Sequence, residues 1–146
     1  LPIYGTTLDQ KLTRVHKADE VVTEAQRIER MLGVANTAVA MCKRHRIRFV
    51  GIMGYAMTAH DCEIGEMCGT LKTQLYLALR LVPEVVSSVL SHRHLVGTGK
   101  PVPSDTAQVV RNGLGYDAKT NSEVSAAVAA RFLFDRKVSE MKEVAP

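Results

Sequence analysis

Three short stretches hold the residues of this chain whose types and spacing could do chemistry. The first is Cys42-Lys43-Arg44-His45-Arg46-Ile47-Arg48, the densest block of positive charge. Lys43, Arg44, Arg46 and Arg48 exceed what a helix C-terminus needs to complement its dipole. An array of that kind neutralises several phosphates at once, and its affinity falls steeply with salt. The second stretch gathers Arg80, His92, Arg93, His94 and Lys100; Arg93 and Lys100 join the first run as candidate anion-binding residues. The plain alternative for this second group is a set of solvated polar residues at a helix end.

The third stretch, His60-Asp61-Cys62-Glu63 with Glu66 and Cys68, collects metal-ligand and nucleophile types. Cys42 and His45, three apart on a helix, could complete a tetrahedral zinc shell with His60 and Cys62. There is no Cys-x-x-Cys and no His-x-x-x-His, so these four are weak ligand candidates and helix capping or packing accounts for each of them. No metal, no cofactor and no catalytic residue is therefore expected. Three glycine patterns fail on their neighbours. Gly97-Thr98-Gly99-Lys100 lacks the outer glycine and the hydroxyl residue of a phosphate loop, having His94 and Pro101 there. Gly51-Ile52-Met53-Gly54 has apolar centres unsuited to an RNA backbone clamp, and Gly65-Glu66-Met67-Cys68-Gly69 sits in a polar setting. All three read as packing or turn glycines.

The elements that must position these residues read as helices. The chain has 146 residues, 46% apolar and 23% charged, enough for one domain with a real core and no staples. Aromatics are 5% and Trp is absent, so the core falls to Leu, Val, Ile, Met and Ala. Ala18, Val21, Ala25, Ile28, Leu32, Ala35, Val39 and Cys42 alternate steps of three and four, a helical seam with Glu20, Glu24, Arg27 and Arg30 off it. The seam ends where the basic run begins. Residues 46–59 read as a second helix, since a lone strand there would have no partner. Leu71, Leu75, Ala78 and Val82 mark a helix from about Thr70 to Pro83, and Pro83 opens another over Glu84 to Ser91. Ser104 or Asp105 caps a short helix through Arg111, closed by Gly113-Leu114-Gly115. Asn121 or Ser122 caps a last helix carrying Val124, Ala127, Val128, Phe132, Phe134, Val138 and Met141.

The expected fold is all-α: a single domain over 1–146, a bundle of five or six helices, with an extended arm at 1–7 and a Gly/Pro loop near 96–104. A net charge of +4 fits an anionic partner without requiring one. Three cysteines, an odd number, suit free thiols in a reducing intracellular compartment such as the cytoplasm, and no secretory signal opens the chain at Leu1. The longest apolar run is too short to cross a membrane. In type, such a domain resembles viral matrix and nucleocapsid domains. The expectation is a non-enzymatic assembly module, a homo-oligomer that engages nucleic acid or an anionic membrane surface through its basic patches. Two alternatives stand beside it: a small zinc- or cysteine-dependent enzyme built on His60, Cys62 and Cys68, and a helical adaptor for another protein.

Overall fold

The computed structural model describes residues 23–54, 62–97 and 103–144. Five helices and a pair of short strands are described, and helix makes up 75% of the structure. The described residues cluster into two compact units, one holding 23–50 and 62–83, the other 51–54 and 84–144.

In the first unit, helix α1 spans Glu24–Arg44. Thr23 caps it: the Thr23 hydroxyl accepts from the Gln26 amide at 3.2 Å, while the Thr23 amide donates to the Gln26 side chain at 2.9 Å. Val34, Ala35, Val39 and Cys42 are its buried residues. Helix α2, Cys62–Leu79, lies against it and sinks Leu75 completely between Val39 and Cys42. Ile47, Val50, Leu71, Leu79 and Leu81 close around that centre. Of the seam read from sequence, Ala35, Val39 and Cys42 are core, Leu32 is half-buried and Ala25 and Ile28 are exposed, while Ala18 and Val21 lie outside the described residues. Ile28 is 50% exposed, because the packed residues of this unit gather on the last three turns of α1. At its exposed end α1 is tied to α2 by charge, Arg27 pairing with Glu24 and Glu66.

The second unit departs from the expected all-α class. Gly51–Met53 is a strand, β1, and not part of a second helix. Glu84–Val86 is a strand too, β2, where a helix opened by Pro83 was expected. The two run parallel, with Gly51 opposite Glu84, Ile52 opposite Val85 and Met53 opposite Val86. Each supplies the partner that the other lacks when read alone, and a parallel pair needs a long connection, which the chain provides between them. Both glycines of Gly51-Ile52-Met53-Gly54 are packing glycines. A Cβ at Gly51 would lie 3.1 Å from Val86 Cγ2, and one at Gly54 would lie 3.2 Å from the Val86 carbonyl oxygen.

Helix α3, Ser88–Val96, follows β2 directly, with Ser87 as N-cap and Gly97 closing it in the left-handed conformation at φ +82°. Helix α4 runs Pro103–Leu114, three residues beyond the expected Arg111, and Gly115 turns the chain at φ +64°. Helix α5 is Asn121–Val144. Its cap is Thr120 and not Asn121 or Ser122: the Thr120 hydroxyl accepts from the Glu123 amide at 3.2 Å, and the Glu123 carboxylate accepts from the Thr120 amide at 3.3 Å. Val110, Val124, Ala127 and Val128 form the core of this unit, with Leu95, Ala107, Leu114, Tyr116 and Ala118 around it. Glu84 at the start of β2 pairs with Arg136 and Lys137, pinning the strand to α5. The expected arm at 1–7 and most of the Gly/Pro loop near 96–104 lie outside the described residues.

Candidate functional site

Parallel strands collect ligand sites beyond their carboxyl ends, where loops and helix N-termini converge. Here that end is Met53-Gly54 beside Val86-Ser87-Ser88, and α3 begins on it. The Gly54 amide donates to the Val86 carbonyl at 2.6 Å, extending the pair by one bond. Ser87 caps α3, its hydroxyl accepting from the Leu90 amide at 3.3 Å. One turn in, Ser91 is fully buried; its hydroxyl donates to the Ser88 carbonyl at 3.1 Å and contacts Met53 Sδ at 3.9 Å.

His92 stands beside it, 8% exposed, with Nδ1 at 2.7 Å from the Ser88 carbonyl. A carbonyl can only accept, so Nδ1 carries the proton and a neutral ring keeps its lone pair on Nε2. The ring is thus fixed by one nitrogen committed to the backbone. Serine hydroxyls, the positive end of α3 and an oriented imidazole are groups that can hold a phosphate oxygen and move a proton. Val89 and Leu90 add exposed apolar surface to the same first turn, at 51% and 52% exposure.

Further along α3, His94 Nε2 donates to Asp135 of α5 at 2.8 Å, and Phe132 meets the imidazole edge-on with ring centroids 5.4 Å apart. Arg131 Nε reaches both Asp135 oxygens, at 2.8 and 2.9 Å. Burial alone would raise the Asp135 pKa; the hydrogen bonds and charges of His94 and Arg131 outweigh it and hold the carboxyl below its ordinary range.

The residues singled out by sequence scatter over both units. Lys43 and Arg44 occupy the last turn of α1, and Arg46 and Arg48 follow it; all four are exposed, and no carboxylate among the described residues pairs with them. Arg46 has a left-handed backbone, φ +53°, that turns the chain just after the helix. Arg93 is exposed on α3 in the other unit, and Lys100 lies outside the described residues. Arg80 and the histidines of the second patch fall in different units. His92 is buried against Ser88, unlike the solvated helix-end residue expected.

Of the weak metal candidates, Cys42 faces Leu75 in the core, and burial pushes its thiol pKa up. His45 is the C-cap of α1, Cys62 opens α2, and His60 lies outside the described residues. Burial also raises the Cys68 thiol, against the opposing charge of Lys72. Among the described residues no three His, Cys, Asp or Glu side chains gather to hold an ion. None of the described helices is long and apolar enough to cross a membrane.

Sequence reading missed the strand pair and with it Ser87, Ser88, Ser91 and His92 as a group. The signal was present in Leu81-Val82-Pro83-Glu84-Val85-Val86, a β-branched run ahead of a serine cap.

No family model matches the chain, and no curated protein does. Among solved structures it is similar to the Thermus thermophilus RuvC structure, with a TM-score of 0.64 and 18% identity, covering 82% of this chain and 76% of that one. RuvC is a Holliday junction resolvase, a nuclease with an α/β fold. This finding overturns the expectation of a non-enzymatic assembly module of matrix or nucleocapsid type. The helical majority stands, and the fold the chain shares is that of the RuvC structure.

Proposed function

We propose that this protein is an enzyme that acts on the sugar–phosphate backbone of nucleic acid. The observation that carries the reading is the fold shared over 82% of the chain with RuvC, a nuclease. Two features of the chain support it. The carboxyl end of β1 and β2 opens onto the N-terminus of α3, capped by the Ser87 hydroxyl, with His92 one turn in and fixed through Nδ1 on the Ser88 carbonyl; a helix N-terminus of this kind can hold a phosphodiester, and an imidazole can take a proton. Lys43, Arg44, Arg46 and Arg48 stay exposed and free of described carboxylate partners, and Arg93 is exposed in the last turn of α3, as phosphate contacts require. Many nucleases use a pair of metal ions held by converging carboxylates. Among the described residues no such set gathers.

The experiment is paired binding and turnover on labelled DNA. Lys43→Glu with Arg46→Glu weakens binding tenfold or more at about 0.1 M salt and flattens the salt dependence, since two phosphate contacts are lost. Unchanged affinity and slope remove the basic run from substrate binding. Intact DNA after prolonged incubation with the unaltered protein removes the enzyme reading.

A further inference from the structure

The helices of the two units leave their last turns through different residues. In the second unit α3 and α4 turn out through glycines, Gly97 at φ +82° and Gly115 at φ +64°. In the first unit the turns after α1 and α2 are made by arginines, Arg46 at φ +53° and Arg80 at φ +56°. Among the described residues these two are the only non-glycines in the left-handed region. A Cβ is crowded there and glycine is not, so each position keeps a side chain at a conformational cost.

The turns themselves are held by backbone and by the residue that follows. The Arg46 and Ile47 amides donate to the Lys43 and Cys42 carbonyls at 3.3 and 2.9 Å, and the Arg80 and Leu81 amides to the Tyr76 and Leu75 carbonyls at 2.9 and 3.4 Å. Ile47 and Leu81 then fold back onto Val39, Cys42 and Leu75. Glycine would make every one of these bonds. Helices α1 and α2 run the same way, because Arg27 meets Glu66 near their starts and Cys42 meets Leu75 towards their ends. Arg46 and Arg80 therefore come to one end of the unit, with Lys43, Arg44 and Arg48. All five are exposed, and none has a carboxylate partner among the described residues. Cations complement helix C-termini, but Lys43 and Arg44 already do so for α1 from its last turn. The Arg80 guanidinium lies over the Tyr76 ring, its carbon 5.2 Å from the centroid, which steadies the side chain.

We infer that Arg46 and Arg80 occupy these turns in order to present two guanidinium groups to neighbouring phosphates of a nucleic-acid strand. The inference rests on the reading that the substrate is nucleic acid. It adds Arg80, which the basic run does not contain, and makes this end of the unit a built phosphate site. A guanidinium offers phosphate oxygens two parallel N–H groups, and a fixed backbone reduces the freedom lost on binding.

Fluorescence anisotropy with labelled duplex DNA over a range of salt, beside thermal melts, tests this. Arg46→Gly and Arg80→Gly each weaken binding and lower the slope of log affinity against log salt by about one, and the double variant lowers it by about two. Their melting temperatures stay at or above that of the unaltered protein, since glycine relaxes the turn. Lys142→Ala, which removes an exposed cation from α5, changes neither affinity nor slope. A lower melting temperature in either glycine variant would show that the arginine serves the turn or the helix dipole, and would overturn the inference. An unchanged slope in Arg80→Gly overturns it too, as does an equal loss in Lys142→Ala. Strand scission is read separately. Binding that depends on these arginines without any cutting removes the enzyme reading and leaves the phosphate site. Cutting with undiminished binding in both glycine variants does the reverse.

Discussion

Asp135 accepts hydrogen bonds from both His94 and Arg131, so its charge state bears on the stability of the second unit. Its folded pKa lies below the ordinary carboxylate value of 3.8. A depressed carboxylate contributes stability above its unfolded pKa and loses it as pH falls through the folded one. Asp135→Asn is therefore expected to lower the unfolding midpoint at pH 7, with the gap from the unaltered protein closing as pH drops below about 4. Denaturant titrations at several pH values check this; a gap independent of pH would show that the carboxylate charge plays no part. The core residues separate in the same way. Leu75→Ala should cost about 2–5 kcal/mol, whereas Ile28→Ala should cost well under about 1 kcal/mol. Both belong to helical apolar patterns, and sequence spacing ranked them alike. Spacing names the face of a helix that can be buried. It does not say how far along the helix a neighbour reaches, and α2 reaches the Val39 and Cys42 end of α1 while leaving Ile28 half exposed.

At the scale of elements, the long helices were legible because their periodicity runs over several turns, which outweighs any single residue. The seam through Ala35, Val39 and Cys42 and the last helix with Val124, Ala127 and Val128 both stand, as do the packing glycines Gly51 and Gly54. The strands were not legible. Each is three residues long, too short to show a period, and each owes its existence to the other. Reading Glu84–Val86 as helix followed from Pro83, a residue equally at home before a strand. With the strands went the candidate site, since Ser91 and His92 acquire meaning only once β1 and β2 set a carboxyl end beside them.

The glycines divide sharply and supply a test. Gly54→Ala drives a Cβ to 3.2 Å from the Val86 carbonyl, which is backbone and yields little, so stability should fall. Gly33→Ala, in the body of α1 with nothing within 4 Å of its Cβ, should raise stability by about 0.5–1 kcal/mol. Thermal melts of both variants decide it, and a loss at Gly33 would mean its side of α1 is more crowded than described. Removing the hydroxyl of Thr120 should cost about 1 kcal/mol, as an N-cap does.

For the whole molecule, the two units divide the labour of the proposed function. The first carries the exposed cations Lys43, Arg44, Arg46 and Arg48, which have no carboxylate partner among the described residues. The second carries the strand pair and the imidazole of His92. The basic run was the easiest feature to read in the sequence and is the least specific, because exposed cations serve any polyanion. The proposed enzyme reading rests on the shared fold, and no local pattern in this sequence encodes that fold. The most direct measurement is a time course of strand scission on an end-labelled four-way DNA junction, with linear duplex of the same sequence in parallel. The account predicts discrete shorter strands that accumulate in proportion to protein concentration and fall away in the Lys43→Glu, Arg46→Glu variant. Junction and duplex both remaining full length at saturating protein, while bound, would contradict it.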